Sequence, residues 1–93
     1  MPQGHVYILA SKRNGTLYIG VTTDLPARIF AHREGQGSAF TRKYGLKQLI
    51  WYETYDMVVD AIQRETSLKR WPRKWKLELM KSNPEWEDLY ESF

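Results

Sequence analysis

The chain contains no cysteine, which excludes disulfides and thiolate metal sites and agrees with a reducing interior. Nor does it contain an apolar run near the ~20 residues that a membrane-spanning helix needs. The longest apolar runs, such as Val6 to Ala10, are the length of a strand. Met1-Pro-Gln-Gly-His5 has neither the basic region nor the apolar stretch of a secretory signal. A soluble, cytoplasmic protein is expected, with no membrane and no disulfide partner. Internal repeats, linkers and low-complexity tracts are also missing, and 93 residues build one core rather than two. The expected organisation is a single domain over residues 1–93, with a core at about 4–82 and an acidic, aromatic segment at 83–93.

What is present is aromatic and basic. Four tryptophans, six tyrosines and three phenylalanines supply large apolar side chains for so short a chain. The net charge of +3 hides an asymmetry, because every Lys and Arg lies at or before Lys81 while Glu85, Glu87, Asp88 and Glu91 crowd the end. The body therefore sets fourteen bases against seven acids, a net +7. Such a body suits a phosphate-backbone binder, and suits equally a solubility surface with a tail folded back onto it.

His5 to Ser11 and Thr16 to Val21 are β-prone runs separated by Lys12-Arg-Asn-Gly15, in which Asn-Gly marks a hairpin turn. Asp24 offers an N-cap and Pro26 is tolerated in the first turn of a helix running to about Glu34, with Leu25, Ile29 and Phe30 as its buried stripe. Gly35-Gln-Gly-Ser38 ends that helix and opens a basic loop, Thr41 to Gly45. Lys47 to Thr54 reads as a third strand. Asp56 can cap a helix running to Arg70, where Trp71-Pro72 interrupts. A further helix covers roughly 73–82, and Trp86, Leu89 and Tyr90 mark a short final turn. The order β-β-α-β-α-α is that of an α+β domain with a small, mostly antiparallel sheet.

Glu65 is the oddest residue of this scheme. Taking Val58 as zero at 100° per residue, Ala61, Ile62 and Leu68 fall at about −60°, +40° and −80°, and Glu65 at about −20°, in the middle of the apolar face. A buried carboxylate is normally paired, protonated or metal-bound. Lys69, one turn on, offers the ordinary helix pair; a divalent ion offers the other answer. Arg28 and His32 share a helix face and could supply a guanidinium for phosphate and an imidazole for proton transfer, or form a solvated polar face. Tyr7 and Tyr18 lie mid-strand on either side of the hairpin. Lys69-Arg-Trp-Pro-Arg-Lys-Trp-Lys76 interleaves bases with two tryptophans, a mixture suited to phosphates and unpaired nucleic-acid bases. The competing reading puts Trp75 in the core with Leu79. Arg42, Lys43, Lys69, Arg70, Arg73 and Lys74 are the candidate nucleic-acid contacts.

The order and spacing of these residues resemble the GIY-YIG nuclease superfamily, most nearly its small stand-alone single-domain branch. His5-Val-Tyr7 stands for the first signature, and Tyr18-Ile-Gly20 is the second, intact. Arg28 and His32 follow on the first helix, and Glu65 stands at the family's metal-binding glutamate. His5 replaces a glycine, and Thr22 stands where some members place a lysine. The resemblance implies a three-stranded antiparallel sheet flanked by helices, with Tyr7, Tyr18, Arg28, His32 and Glu65 on one surface. It implies that Glu65 ligates one Mg²⁺ or Mn²⁺, that Arg28 neutralises charge on the phosphate, and that Tyr7 or Tyr18 activates water with His32 as partner. Asn83 is the nearest match to an active-site asparagine, and Asn83-Pro84 reads equally as a helix stop. The implied activity is endonucleolytic hydrolysis of DNA, with a non-catalytic nucleic-acid-binding module as the alternative.

Overall fold

A computed structural model describes residues 2–93. Strands β1 (Gly4–Ala10), β2 (Leu17–Thr22) and β3 (Gln48–Tyr55) form one antiparallel sheet in the order β2-β1-β3. Helices α1 (Leu25–Arg33) and α2 (Ala39–Tyr44) lie between β2 and β3, and α3 (Val58–Arg70) and α4 (Arg73–Leu79) follow β3. Single 3-10 turns at Met80–Ser82 and Leu89–Ser92 complete the chain. The expected α+β class and three-stranded antiparallel sheet are present, with one helix more than the sequence suggested. Among the described residues no helix is long and apolar enough to cross a membrane.

β1 is central and almost wholly buried because each of its faces supports a separate core. Side chains alternate along a strand. Val6, Ile8 and Ala10 therefore meet Ala61 and Leu68 of α3, together with Met80 and Trp86. Tyr7 and Leu9 face the other way, toward Leu25 and Ile29 of α1 and toward Leu46 and Leu49. Gly4 lets the start of β1 lie against α3, since a Cβ there would stand 2.7 Å from both the Ala61 Cβ and the Val58 Cα. The register shifts between Ile8 and Leu9, where β3 carries the additional residue Ile50.

Local chemistry departs from the sequence expectation at several points. In the hairpin only Asn14 of the Asn-Gly pair takes positive φ, at 62°. The Gly15 amide bonds the Lys12 carbonyl at 2.9 Å, so the reversal is built on four residues rather than two. The basic segment expected as a loop is helix α2. Ser38 caps it by accepting from the Thr41 amide, and Gly45 closes it at φ 62°. Asp56 does not cap α3. The N-cap is Met57, which makes no side-chain cap bond, and the Val58 amide finds the Pro2 carbonyl at 3.1 Å instead.

Phe30 is 53% exposed, and the stripe of α1 is completed by His32. With Leu25 at zero, Ile29 and His32 fall at about +40° and −20° while Phe30 falls at about 140°. Ile62 on α3 is likewise exposed, and the buried arc is set by Ala61 and Leu68. That rotation moves Glu65 from the centre of the apolar face to its rim. The final helix is α for only Arg73–Leu79, tightening to a 3-10 turn over the residues that follow. Trp75 is half exposed, its ring standing edge-on to Trp71 at 5.9 Å, while Leu79 packs on the core.

The acidic C-terminal segment folds back onto the body. Asp88 accepts from the Leu49 amide at 3.1 Å on β3 and from the Tyr90 amide at 3.0 Å, and its other oxygen pairs with Arg33. Arg33 also reaches Glu91 at 3.5 Å and lies over the Tyr90 ring.

A tyrosine, histidine and arginine cluster as the candidate active site

β1 and β2 bring the two signature tyrosines to one face. Tyr7 lies opposite Gly20 and Tyr18 opposite Leu9, so the rings are diagonal neighbours with centroids 6.4 Å apart. The Tyr7 ring crosses the strand and lies over Gly20, where a Cβ would stand 2.4 Å from the Tyr7 Cζ and Oη. Glycine in the second signature therefore makes room for the tyrosine of the first. Helix α1, capped by the Asp24 carboxylate on the Ala27 amide, packs over this pair and adds Arg28 and His32.

The polar atoms form a connected group. Tyr7 Oη stands 3.0 Å from His32 Nε2, and Arg28 Nε donates to the same hydroxyl at 3.4 Å. His32 Nδ1 lies 3.2 Å from Thr41 Oγ1 on α2. Tyr7, His32 and Thr41 are all buried, whereas Arg28 is exposed and Tyr18 half-buried. Tyr18 meets the His32 ring at 5.7 Å. No buried side-chain polar atom lacks a hydrogen-bond partner among the described residues.

Burial pushes the Tyr7 phenol above its usual value, and the Arg28 hydrogen bond only partly offsets this, with Tyr18 and Glu65 adding to the rise. Burial lowers the His32 pKa, and the Arg28 charge lowers it further, so the imidazole is neutral near pH 7. The hydrogen bond to Tyr7 holds Arg28 more firmly protonated than usual. The group thus combines a buried phenol, a neutral imidazole beside it and a fixed cation at its open side.

Glu65 reaches this group by its charge, and its side chain is 17% exposed. Lys69 approaches it at 3.5 Å as the ordinary helix pair, itself half exposed. Among the described residues no three His, Cys, Asp or Glu stand together as a protein-only metal cage. A single rim carboxylate is the donor set for a hard divalent ion that keeps most of its waters and shares a phosphate with the protein. Glu65 fits that requirement, because a partly exposed lysine pair is weak and easily displaced.

Asn83 is not brought to this group. Its amide donates to the Ile50 carbonyl at 3.0 Å and the Glu87 carbonyl at 2.9 Å, and accepts from the Glu87 amide at 3.1 Å. It ties the C-terminal segment to the β3 bulge, on the far side of the sheet from β2. The predicted basic contacts divide as well. Arg42 and Lys43 are exposed on α2, with Lys43 over the Tyr44 ring. Lys69 lines a groove of about 300 Å³ with Leu17, Tyr18, Ile19, Phe40 and Lys76. Arg70 and Lys74 are exposed at the α3–α4 junction. Arg73 instead donates to the Asn14 and Gly15 carbonyls, at 3.3 and 2.7 Å, and clips the hairpin turn to α4.

Thr41 and Phe40, which the structure sets beside His32 and Tyr18, were not singled out in the sequence. The available signal was Ser38, whose N-cap role sets Thr41 and Phe40 on a helix rather than in a loop.

Residues 3–79 match the model of the GIY-YIG catalytic domain. The chain belongs to the GIY-YIG family. It is 35% identical over 80 residues to a UPF0213 protein of Staphylococcus saprophyticus, covering 86% of this chain and 96% of that one. A UPF0213 protein of Clostridium perfringens is 38% identical over 87 residues, covering 94% and 92%. The solution NMR structure of a UPF0213 protein from Bacillus halodurans superposes with a TM-score of 0.55 at 32% identity, over 88% of each chain. GIY-YIG membership makes this a nuclease-family domain and implies a nucleic-acid substrate; GIY-YIG nucleases generally use divalent metal ions.

Proposed function

We propose that this GIY-YIG protein is a metal-dependent endonuclease hydrolysing phosphodiester bonds in DNA, including structured or damaged DNA. The observation that carries the reading is the hydrogen-bonded convergence of Tyr7, His32 and Arg28, with the charge of Glu65 in reach. A buried phenol joined to a neutral imidazole and an arginine is a poor solvated surface and a good proton-handling site.

Glu65 would hold the divalent ion, whose contribution is charge stabilisation at the scissile phosphate and the departing 3′ oxygen. Arg28, exposed beyond the Tyr7 hydroxyl, has a guanidinium face free for non-bridging phosphate oxygens. Tyr18 borders both the tyrosine–histidine pair and the groove lined by Lys69 and Lys76, so a strand lying in that groove meets cations along its backbone and a phenol at the reacting phosphate.

The test uses labelled single-stranded, duplex and branched DNA with Mg²⁺, Mn²⁺ or EDTA. Cutting is expected with either metal, none with EDTA, and a loss on the order of 100-fold or more for Glu65→Ala and Arg28→Ala. Cleavage indifferent to Glu65→Ala refutes the metal assignment. Salt-sensitive binding without metal-dependent cutting makes the protein a nucleic-acid-binding module of this fold.

A further inference from the structure

The direction of the hydrogen bonds around His32 follows from the acceptors at their far end. Thr41 Oγ1 lies 2.9 Å from the Ser38 carbonyl, which can only accept, so the threonine hydroxyl donates there. Ser38 Oγ donates to Thr41 Oγ1 at 3.3 Å while accepting the Thr41 amide. With its proton committed, Thr41 Oγ1 is an acceptor toward His32 Nδ1 at 3.2 Å, and Nδ1 must carry the hydrogen. The neutral imidazole then presents an unprotonated Nε2 to Tyr7 Oη at 3.0 Å. The Tyr7 hydroxyl donates to it and receives the Arg28 Nε–H on its oxygen. This is the reverse of the tautomer that a free histidine side chain favours in water, where Nε2 carries the hydrogen.

We infer that Thr41 is a positioning residue that fixes His32 in the Nδ1–H tautomer, so that Nε2 serves as acceptor for the proton of Tyr7. Thr41 is 2% exposed, on a short helix whose cap and close pin its place. Gly37 brings the same segment so near the ring that a Cβ there would stand 2.1 Å from Nδ1. The groups around His32 are Tyr7 from β1, Tyr18 from β2, Arg28 on its own helix and Thr41 from α2. None is a carboxylate, so no anion holds a proton on either ring nitrogen, and the threonine alone decides which nitrogen bears it. In turnover the Tyr7 O–H bond breaks as the Nε2–H bond forms, while the Tyr7 oxygen takes a proton from the attacking water, so that one proton moves from that water to His32 with no free phenolate left in the buried site.

The consequence for turnover rests on the nuclease reading, but the tautomer is a property of the resting protein and is measured without substrate. The experiment is ¹⁵N NMR of the imidazole of the free protein above pH 7, on the wild type, Thr41→Val and Thr41→Ser. His32 Nδ1 is expected at a pyrrole-type and Nε2 at a pyridine-type shift in the wild type and Thr41→Ser, with the pattern mixed or reversed in Thr41→Val. A wild-type His32 protonated at Nε2 overturns the inference, whether or not any variant folds. In the cleavage assay Thr41→Val should lower kcat by on the order of 10- to 100-fold with KM little changed, and Thr41→Ser should restore it. Unaltered kcat in a Thr41→Val protein whose tautomer has changed overturns the catalytic part. If no variant or wild type cuts DNA while the tautomer pattern is as stated, the nuclease reading fails and the positioning role stands.

Discussion

Gly20→Ala puts one methyl group into the most crowded place in the site. The new Cβ would lie 2.4 Å from the Tyr7 Cζ and Oη, where ordinary carbon contacts need about 3.5–4.0 Å, so something must move by about 1 Å or more. The Tyr7 ring is 1% exposed and faces Leu9, Leu25, Ile29, Leu46 and Leu49, which leaves it no space to enter. Gly20 is paired with Tyr7 across the hairpin, so backbone relief requires parting β2 from β1. Overpacking of this kind costs about 1–3 kcal/mol, and in a domain of this size 2 kcal/mol lowers Tm by roughly 8–16 °C. A 1 Å displacement also stretches the 3.0 Å bond from Tyr7 to His32 beyond hydrogen-bonding range. Turnover should then fall on the order of 100-fold, a displacement effect separate from the stability loss. Urea unfolding gives the first quantity, and cleavage by folded protein at low temperature gives the second. A variant with the wild-type urea midpoint and wild-type kcat would refute the reasoning, since it would mean that the strands part freely.

Two further outcomes follow from the same bonding pattern. Asn83→Ala removes three bonds to buried or half-buried backbone groups and should cost about 2–4 kcal/mol in urea unfolding. Cleavage per folded molecule should be unchanged; lost cleavage at full stability would return Asn83 to the active site. The His32 pKa is lower in the folded than in the unfolded protein, so the unfolded chain binds more protons between the folded value and about 6.5. Stability should therefore be full above about pH 6.5 and fall as the pH drops below it, and a His32→Gln variant should show a shallower decline in urea midpoint between pH 7 and pH 5.

The fold was legible wherever a pattern had a period or a punctuation mark. Runs of β-prone residues drew β1, β2 and β3, Asp24 drew the start of α1, and Trp71-Pro72 drew the break between α3 and α4. What escaped depended on partners distant in sequence. Asp56 looks like a cap until the Pro2 carbonyl takes the Val58 amide in its place. Ile62 looks buried until Ala61 and Leu68 turn α3 toward the sheet. Tyr7, Tyr18, Arg28, His32 and Glu65 were singled out by their spacing and the resemblance it carries, yet the connections among them were not legible. Nothing in the sequence states that Tyr7 crosses over Gly20, or that a threonine nine residues beyond His32 bonds its ring. Asn83 misled because an asparagine before a proline carries the same letters whether it faces a substrate or a bulged strand.

β1 is paired along both edges and enclosed on both faces, and Tyr7 sits at its middle. Segments of this kind exchange their amide hydrogens only when the whole domain opens. The hydroxyl at the centre of the proposed chemistry is thus ordered by the same cooperative event that forms the core. Restraint of the proposed activity has to act at the outer rim, on the exposed Arg28 and the lysine-paired Glu65, and not on the tyrosine beneath them.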